Sequence, residues 1–122
     1  PEDFCPDMKL VELAKSKGLS EIVIEHDPHK GVRNCDVIYT DVWASMGQKD
    51  EANERKKIFK PYQINDNLLK STGKKSLFMH CLPAERGVEV TDSVCDSKHS
   101  IIFDQAENRM HAQNAIILDL MN

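Results

Sequence analysis

Apolar positions along this chain switch repeatedly between helical and extended spacing, which predicts alternating helices and strands. In 7–17, Met8, Leu10, Val11, Leu13 and Ala14 recur at helical intervals. Asp7 near the start and Lys15 and Lys17 in the last turn suit the helix dipole, and Gly18 can end the helix. Glu21-Ile22-Val23-Ile24-Glu25 then reads as a short β-branched strand. A loop or single helical turn containing Pro28 and Gly31 leads to a second strand, Asp36-Val37-Ile38-Tyr39-Thr40. Residues 44–48 form a small-residue loop, and 49–59 a charge-laced helix with Glu51 and Arg55 at i,i+4 spacing. Pro61 ends that helix, and Asn65 can cap a shorter one through Leu69, closed by Gly73. A third strand is expected over 76–80, one or two helical turns over 91–95, and a fourth strand over 100–103. The last helix is expected to open on Asp104-x-x-Glu107, a capping-box variant, and to run through Ala115-Ile116-Ile117-Leu118 to the end.

Short strands that are apolar on both faces, separated by helical segments, predict an α/β fold. The expected form is a doubly wound, mostly parallel sheet with helices on both faces, Rossmann-like, with right-handed crossovers. A chain of 122 residues holds one domain at most. There is no glycine-rich phosphate loop of the dinucleotide or P-loop kind.

Composition narrows the function classes. Sixteen basic and 20 acidic residues give a net charge of −4, mixed along the sequence, which argues against a nucleic-acid partner. No apolar run reaches membrane-spanning length, and Pro1-Glu2-Asp3-Phe4-Cys5-Pro6 is no signal peptide, so no membrane partner is expected. The cysteines at 5, 35, 81 and 95 lack C-x-x-C spacing and make neither a zinc site nor a secreted disulfide framework. A cytoplasmic location and no cofactor or metal are the resulting expectations.

Candidate chemistry collects where strands end. Asp41 follows the second strand, His80 and Cys81 the third, and Glu107 to Arg109 the fourth. In a parallel sheet these ends share one edge, where open α/β sheets bind ligands. A Cys81–His80 catalytic dyad is disfavoured, because adjacent strand residues point to opposite faces. Asp41 on a neighbouring strand end is the better partner for Cys81, although it can equally cap its own loop. Arg109 in the first turn of a helix opposes the dipole and suggests an anionic ligand, against the simpler alternative of an ion pair with Asp104. Trp43 reads as core, Cys5, Cys35 and Cys95 as packing, and His26, His29, His99 and His111 as loop or surface residues.

Three motifs carry a resemblance: Asp41-Val42-Trp43-Ala44-Ser45-Met46-Gly47, His80-Cys81-Leu82-Pro83 and Ala106-Glu107-Asn108-Arg109. Together with Lys60-Pro61-Tyr62-Gln63-Ile64-Asn65 they resemble ornithine carbamoyltransferase in order and spacing, over essentially the whole chain. The resemblance is to the C-terminal part of the ornithine-binding domain, over 1–122. The N-terminal carbamoyl-phosphate-binding domain has no counterpart here, so an incomplete domain is expected. If the first two strands of the sheet are among the missing parts, 21–25 and 37–40 should not be neighbours.

What the resemblance implies is transfer of the carbamoyl group of carbamoyl phosphate to the δ-amine of ornithine, giving citrulline and phosphate. Asp41 would bind the ornithine α-ammonium, with Ser45 and Met46 closing over the amino acid in a mobile loop. Cys81 would orient the δ-amine, the Leu82 carbonyl would accept from the carbamoyl nitrogen, and Arg109 would stabilise charge on the carbamoyl oxygen. The Leu82–Pro83 bond would be cis. The whole enzyme would be a homotrimer or a multiple of trimers, and this chain alone inactive. The aspartate-specific sibling resembles His-Pro-Leu-Pro where this chain has Cys81. The alternatives are a sibling acting on an ornithine derivative or putrescine, and a non-catalytic amino-acid-binding fragment.

Overall fold

The computed structural model describes residues 1–44 and 52–121. Among the described residues, six α-helices and two strands follow in chain order: α1 (Met8–Ser16), α2 (Pro28–Gly31), β1 (Val37–Thr40), α3 (Ala52–Phe59), α4 (Asp66–Ser71), β2 (Leu77–His80), α5 (Asp92–Cys95) and α6 (Ile102–Met121). Asp7 caps α1 by accepting from the Lys9 N–H, and Asn65 caps α4 by accepting from Asn67 and Leu68.

β1 and β2 pair in parallel, with Val37 opposite Leu77, Ile38 opposite Phe78, Tyr39 opposite Met79 and Thr40 opposite His80. A single further parallel bridge joins Phe78 to Ser100, so β2 lies between β1 and the 99–101 segment. Alternation puts Ile38, Phe78 and His80 on one face. There Ile38 and Phe78 join Ile64, Leu68, Val90, Val94, Cys95 and Ile102 in the core. α4 and α5 contribute Leu68, Val94 and Cys95, and so cover this face. On the opposite face, Gln105 of α6 reaches the Tyr39 hydroxyl at 3.4 Å.

Two expected strands take other forms. Residues 21–25 are extended-type sequence without a ladder: among the described residues no backbone hydrogen bond joins them to a neighbour. Ile22 and Ile24 are half-buried while Val23 is exposed, so the alternation of a strand is present and the pairing is not. Residues 100–103 supply only the bridge at Ser100, because α6 already begins at Ile102. Asp104 therefore lies inside the first turn of α6, and it is not the cap of a capping box. Cys5 is exposed and does not pack, whereas Cys35 is half-buried and Cys95 buried.

Candidate functional site

Strand register brings the first pair together. Thr40 faces His80, so the next residues, Asp41 and Cys81, leave the sheet side by side. The Cys81 thiol donates to Asp41 Oδ1 at 2.9 Å, and the same oxygen accepts the Val42 N–H at 2.7 Å. Asp41 is thus both the loop cap and the partner of the thiol. The two groups perturb each other in opposite directions. The hydrogen bond from Cys81 lowers the Asp41 pKa, and that bond, followed by desolvation, raises the Cys81 pKa. Cys81 accordingly remains a thiol near neutrality, suited to positioning and not to nucleophilic attack.

Arg109 comes from α6. A cavity of about 470 Å³ is lined by Tyr39, Cys81, Gln105, Ala106, Asn108, Arg109 and Ala112. Cys81, at the C-terminal end of β2, thus holds Asp41 through its thiol and shares this cavity with Arg109. Arg109 lies two turns into α6, beyond the first turn that the sequence suggested. No ion pair joins it to Asp104, since five residues separate them and their directions differ by about 140° around the helix. Gln105 fixes this helix to the strands. Its Oε1 accepts the His80 N–H at 3.0 Å while its Nε2 donates to Tyr39.

A second cavity of about 500 Å³ opens on the other side of Asp41, lined by Phe4, Tyr39, Thr40, Asp41, Val42, Trp43, Arg55, Phe59 and Tyr62. Trp43 stacks on Phe59 at 6.0 Å and is half-buried, so it forms a wall of this cavity. Phe4 meets Phe59 edge-on at 4.7 Å. Asp41 thus lines the aromatic cavity and is joined through the Cys81 thiol to the cavity that holds Arg109. Ser45 and Met46 lie outside the described residues.

Beyond Cys81 the backbone turns sharply. Leu82 has φ 55 and the Leu82–Pro83 peptide is cis. The left-handed conformation costs a branched residue about 1–2 kcal/mol, offset here by local contacts. The Leu82 N–H donates to His80 Nδ1 at 2.9 Å, and Leu82 packs against the core cluster. Asp41, His80 and Cys81 place ligand atoms within 4.8 Å of one another. A cation there would have to break both the thiol–carboxylate and the Leu82–His80 hydrogen bonds.

Tyr39, Gln105 and Glu89 lie around the site without having been singled out for it in the sequence, whereas His80 was named with Cys81 at its strand end. Gln105 was findable, one turn before Arg109 on the same helix face. Glu89 was not, because its role depends on a loop returning beneath β2.

The described geometry has relatives. Residues 1–120 match the family model "Aspartate/ornithine carbamoyltransferase, Asp/Orn binding domain". The chain is 59% identical to ornithine carbamoyltransferase, chloroplastic, of Pisum sativum, over 99% of this chain and 32% of that protein. Two solved structures superpose well. Ornithine carbamoyltransferase from Pyrococcus furiosus gives a TM-score of 0.86 at 52% identity, over 96% of this chain and 38% of that one. The anabolic enzyme from Campylobacter jejuni gives 0.88 at 30% identity, over 100% of this chain and 41% of that one. The chain thus spans about a third to two-fifths of the length of these relatives. Their α/β, Rossmann-like fold is the one to which β1, β2 and the flanking helices belong. On its sequence and its fold alike, the chain belongs to the aspartate/ornithine carbamoyltransferase family, corresponding to the Asp/Orn-binding domain.

Proposed function

We propose that this chain supplies the ornithine side of an ornithine carbamoyltransferase, which forms citrulline and phosphate from carbamoyl phosphate and ornithine. The observation that supports the reading is that Cys81, whose thiol donates to Asp41, lines one cavity together with Arg109. The relatives' printed names support the same reaction.

Asp41 takes the α-ammonium of ornithine, and Ser45 and Met46 close over the amino acid. Cys81 holds the δ-amine in its uncharged form beside the carbamoyl carbon. The amine lone pair attacks that carbon, Arg109 balances charge on the carbamoyl oxygen, and the Leu82 carbonyl holds the carbamoyl nitrogen. The C–O bond to phosphate then breaks, and the attacking nitrogen releases its extra proton. Positioning and fixed charge supply the acceleration, with no covalent enzyme intermediate. Carbamoyl phosphate is bound largely by a further, N-terminal domain, within a cytoplasmic enzyme built of trimers and serving arginine synthesis.

Citrulline formation by the whole protein, with ornithine compared against putrescine and N-acetylornithine, tests the reading. Turnover of ornithine alone is expected, and turnover of putrescine alone overturns the assignment. Residues 1–122 by themselves are expected to form no citrulline, and robust turnover by them would refute the two-domain part of the proposal.

A further inference from the structure

Where the sheet hands over to α6, a side chain takes the place of a strand rung. The Phe78 N–H donates to the His99 carbonyl at 2.8 Å, and the Ile101 N–H to the Phe78 carbonyl at 3.0 Å. In a continued parallel ladder the next donor of β2, the His80 N–H, would meet the Ile101 carbonyl. That carbonyl is taken instead by the Gln105 N–H at 2.9 Å, because α6 begins at Ile102. The Gln105 side chain fills the vacated rung: its Oε1 accepts the His80 N–H at 3.0 Å, and its Nε2 donates to the Tyr39 hydroxyl at 3.4 Å.

One half-buried amide thereby joins the three elements that carry the site residues. His80 immediately precedes Cys81, Tyr39 stands two residues before Asp41, and Gln105 is one helical turn before Arg109. Gln105, Tyr39, Cys81 and Arg109 line the same cavity. Among the described residues nothing pairs with the Arg109 guanidinium, and the Gln105 amide bonds the adjoining turn of its helix to both strands.

We infer that Gln105 is a positioning residue for the transfer: it fixes Arg109 on α6 relative to Cys81 at the end of β2. The inference rests on the functional reading above and adds to it a side chain with no contact to either substrate in that scheme. Satisfying the His80 N–H needs only one acceptor. The second bond, to Tyr39 on the other strand, is not required for that, and it holds the helix turn at two points so that it cannot pivot about one. A charge that must meet a developing oxyanion gains from being held before substrate arrives.

A double-mutant cycle separates positioning of Arg109 from mere support of the fold. Citrulline formation is measured for the whole protein as wild type, Gln105→Met, Arg109→Lys and the double variant. Gln105→Met keeps side-chain length, loses both bonds and should lower kcat about ten-fold. In the Arg109→Lys background the same change should cost less than about two-fold, because the group whose place it sets is gone. Equal losses in the two backgrounds, or no loss in either, overturn the inference. So does an equal kcat loss in Val94→Ala, a core variant on α5 compared at similar Tm. If Gln105→Met is not recovered folded, Tyr39→Phe takes its place in the cycle, with about a three-fold loss expected beside Arg109 and none beside the lysine. Equal losses there overturn the inference as well. If Arg109→Lys turns over too slowly to measure, the Kd for carbamoyl phosphate is read through the same cycle, with the same two outcomes. An inactive wild type defeats the functional reading and this inference with it, whereas an active wild type with additive losses defeats this inference alone.

Discussion

One carboxylate oxygen, Asp41 Oδ1, satisfies both the Val42 N–H and the Cys81 thiol, and this double use sets the chemistry of both residues. The thiol is harder to ionise than an ordinary cysteine, and the carboxyl harder to protonate than an ordinary aspartate. Alkylation of Cys81 by iodoacetamide should therefore be slow near neutrality, with a midpoint above the ordinary thiol value of about 8.5. In Asp41→Asn that midpoint should fall, and a wild-type midpoint at or below the ordinary value would contradict the geometry. The linkage to stability has a definite sign. The contribution of Asp41 is present above its unfolded pKa and is lost as pH falls through its lower folded value. The contribution of Cys81 is present below its unfolded pKa and is lost as pH rises through its higher folded value. Urea unfolding followed against pH should therefore show a plateau across the neutral range, and Asp41→Asn should flatten its acid side. Asp41, Cys81 and Arg109 were legible as candidates because each follows a recognisable strand or strand-like run. Glu89 and Tyr39 were not, since nothing in local sequence says which buried or strand residue will face a particular turn.

At the scale of elements, β1 and β2 could be read because each is a short, largely apolar run between helical segments and finds its partner within the chain. Residues 21–25 have the same composition and pairing fails, since a ladder is a property of two segments and sequence pattern describes only one. Ile101 and Ile102 mislead in another way. Ile102 is buried as a strand residue would be, yet it faces the core from the first turn of α6. A short apolar run does not distinguish the two. Phe78 sits at the centre of what did form, fully buried and bridged on both sides. Phe78→Ala should cost about 3–5 kcal/mol in chemical denaturation, and a loss under about 1 kcal/mol would mean that the core lies elsewhere. Asn65→Ala should cost only about 1 kcal/mol, the typical value of a helix cap whose two N–H partners are left to water.

Over the whole molecule, apolar surface is unevenly distributed. Leu10 and Leu13 on α1, Val23, and Ile116, Ile117, Leu118, Leu120 and Met121 on α6 are exposed, Leu120 to 80%. Such extensive apolar exposure marks association surfaces. Residues 1–122 alone should bind a hydrophobic dye and scatter more light as concentration rises, whereas a concentration-independent monomer without dye binding would show that these side chains are covered in solution. Charge and overall composition gave no sign of this, because apolar content of 40% is ordinary and only the folded arrangement shows how little of it is enclosed. α6 has a mechanical consequence of its own. It spans about 30 Å, with Ile102 and Gln105 seated at one end and a bare greasy tip at the other. A rod gripped so close to one end is a lever: slight tilt at the glutamine becomes ångströms at Met121, and whatever seats the tip also steadies the guanidinium near the fulcrum.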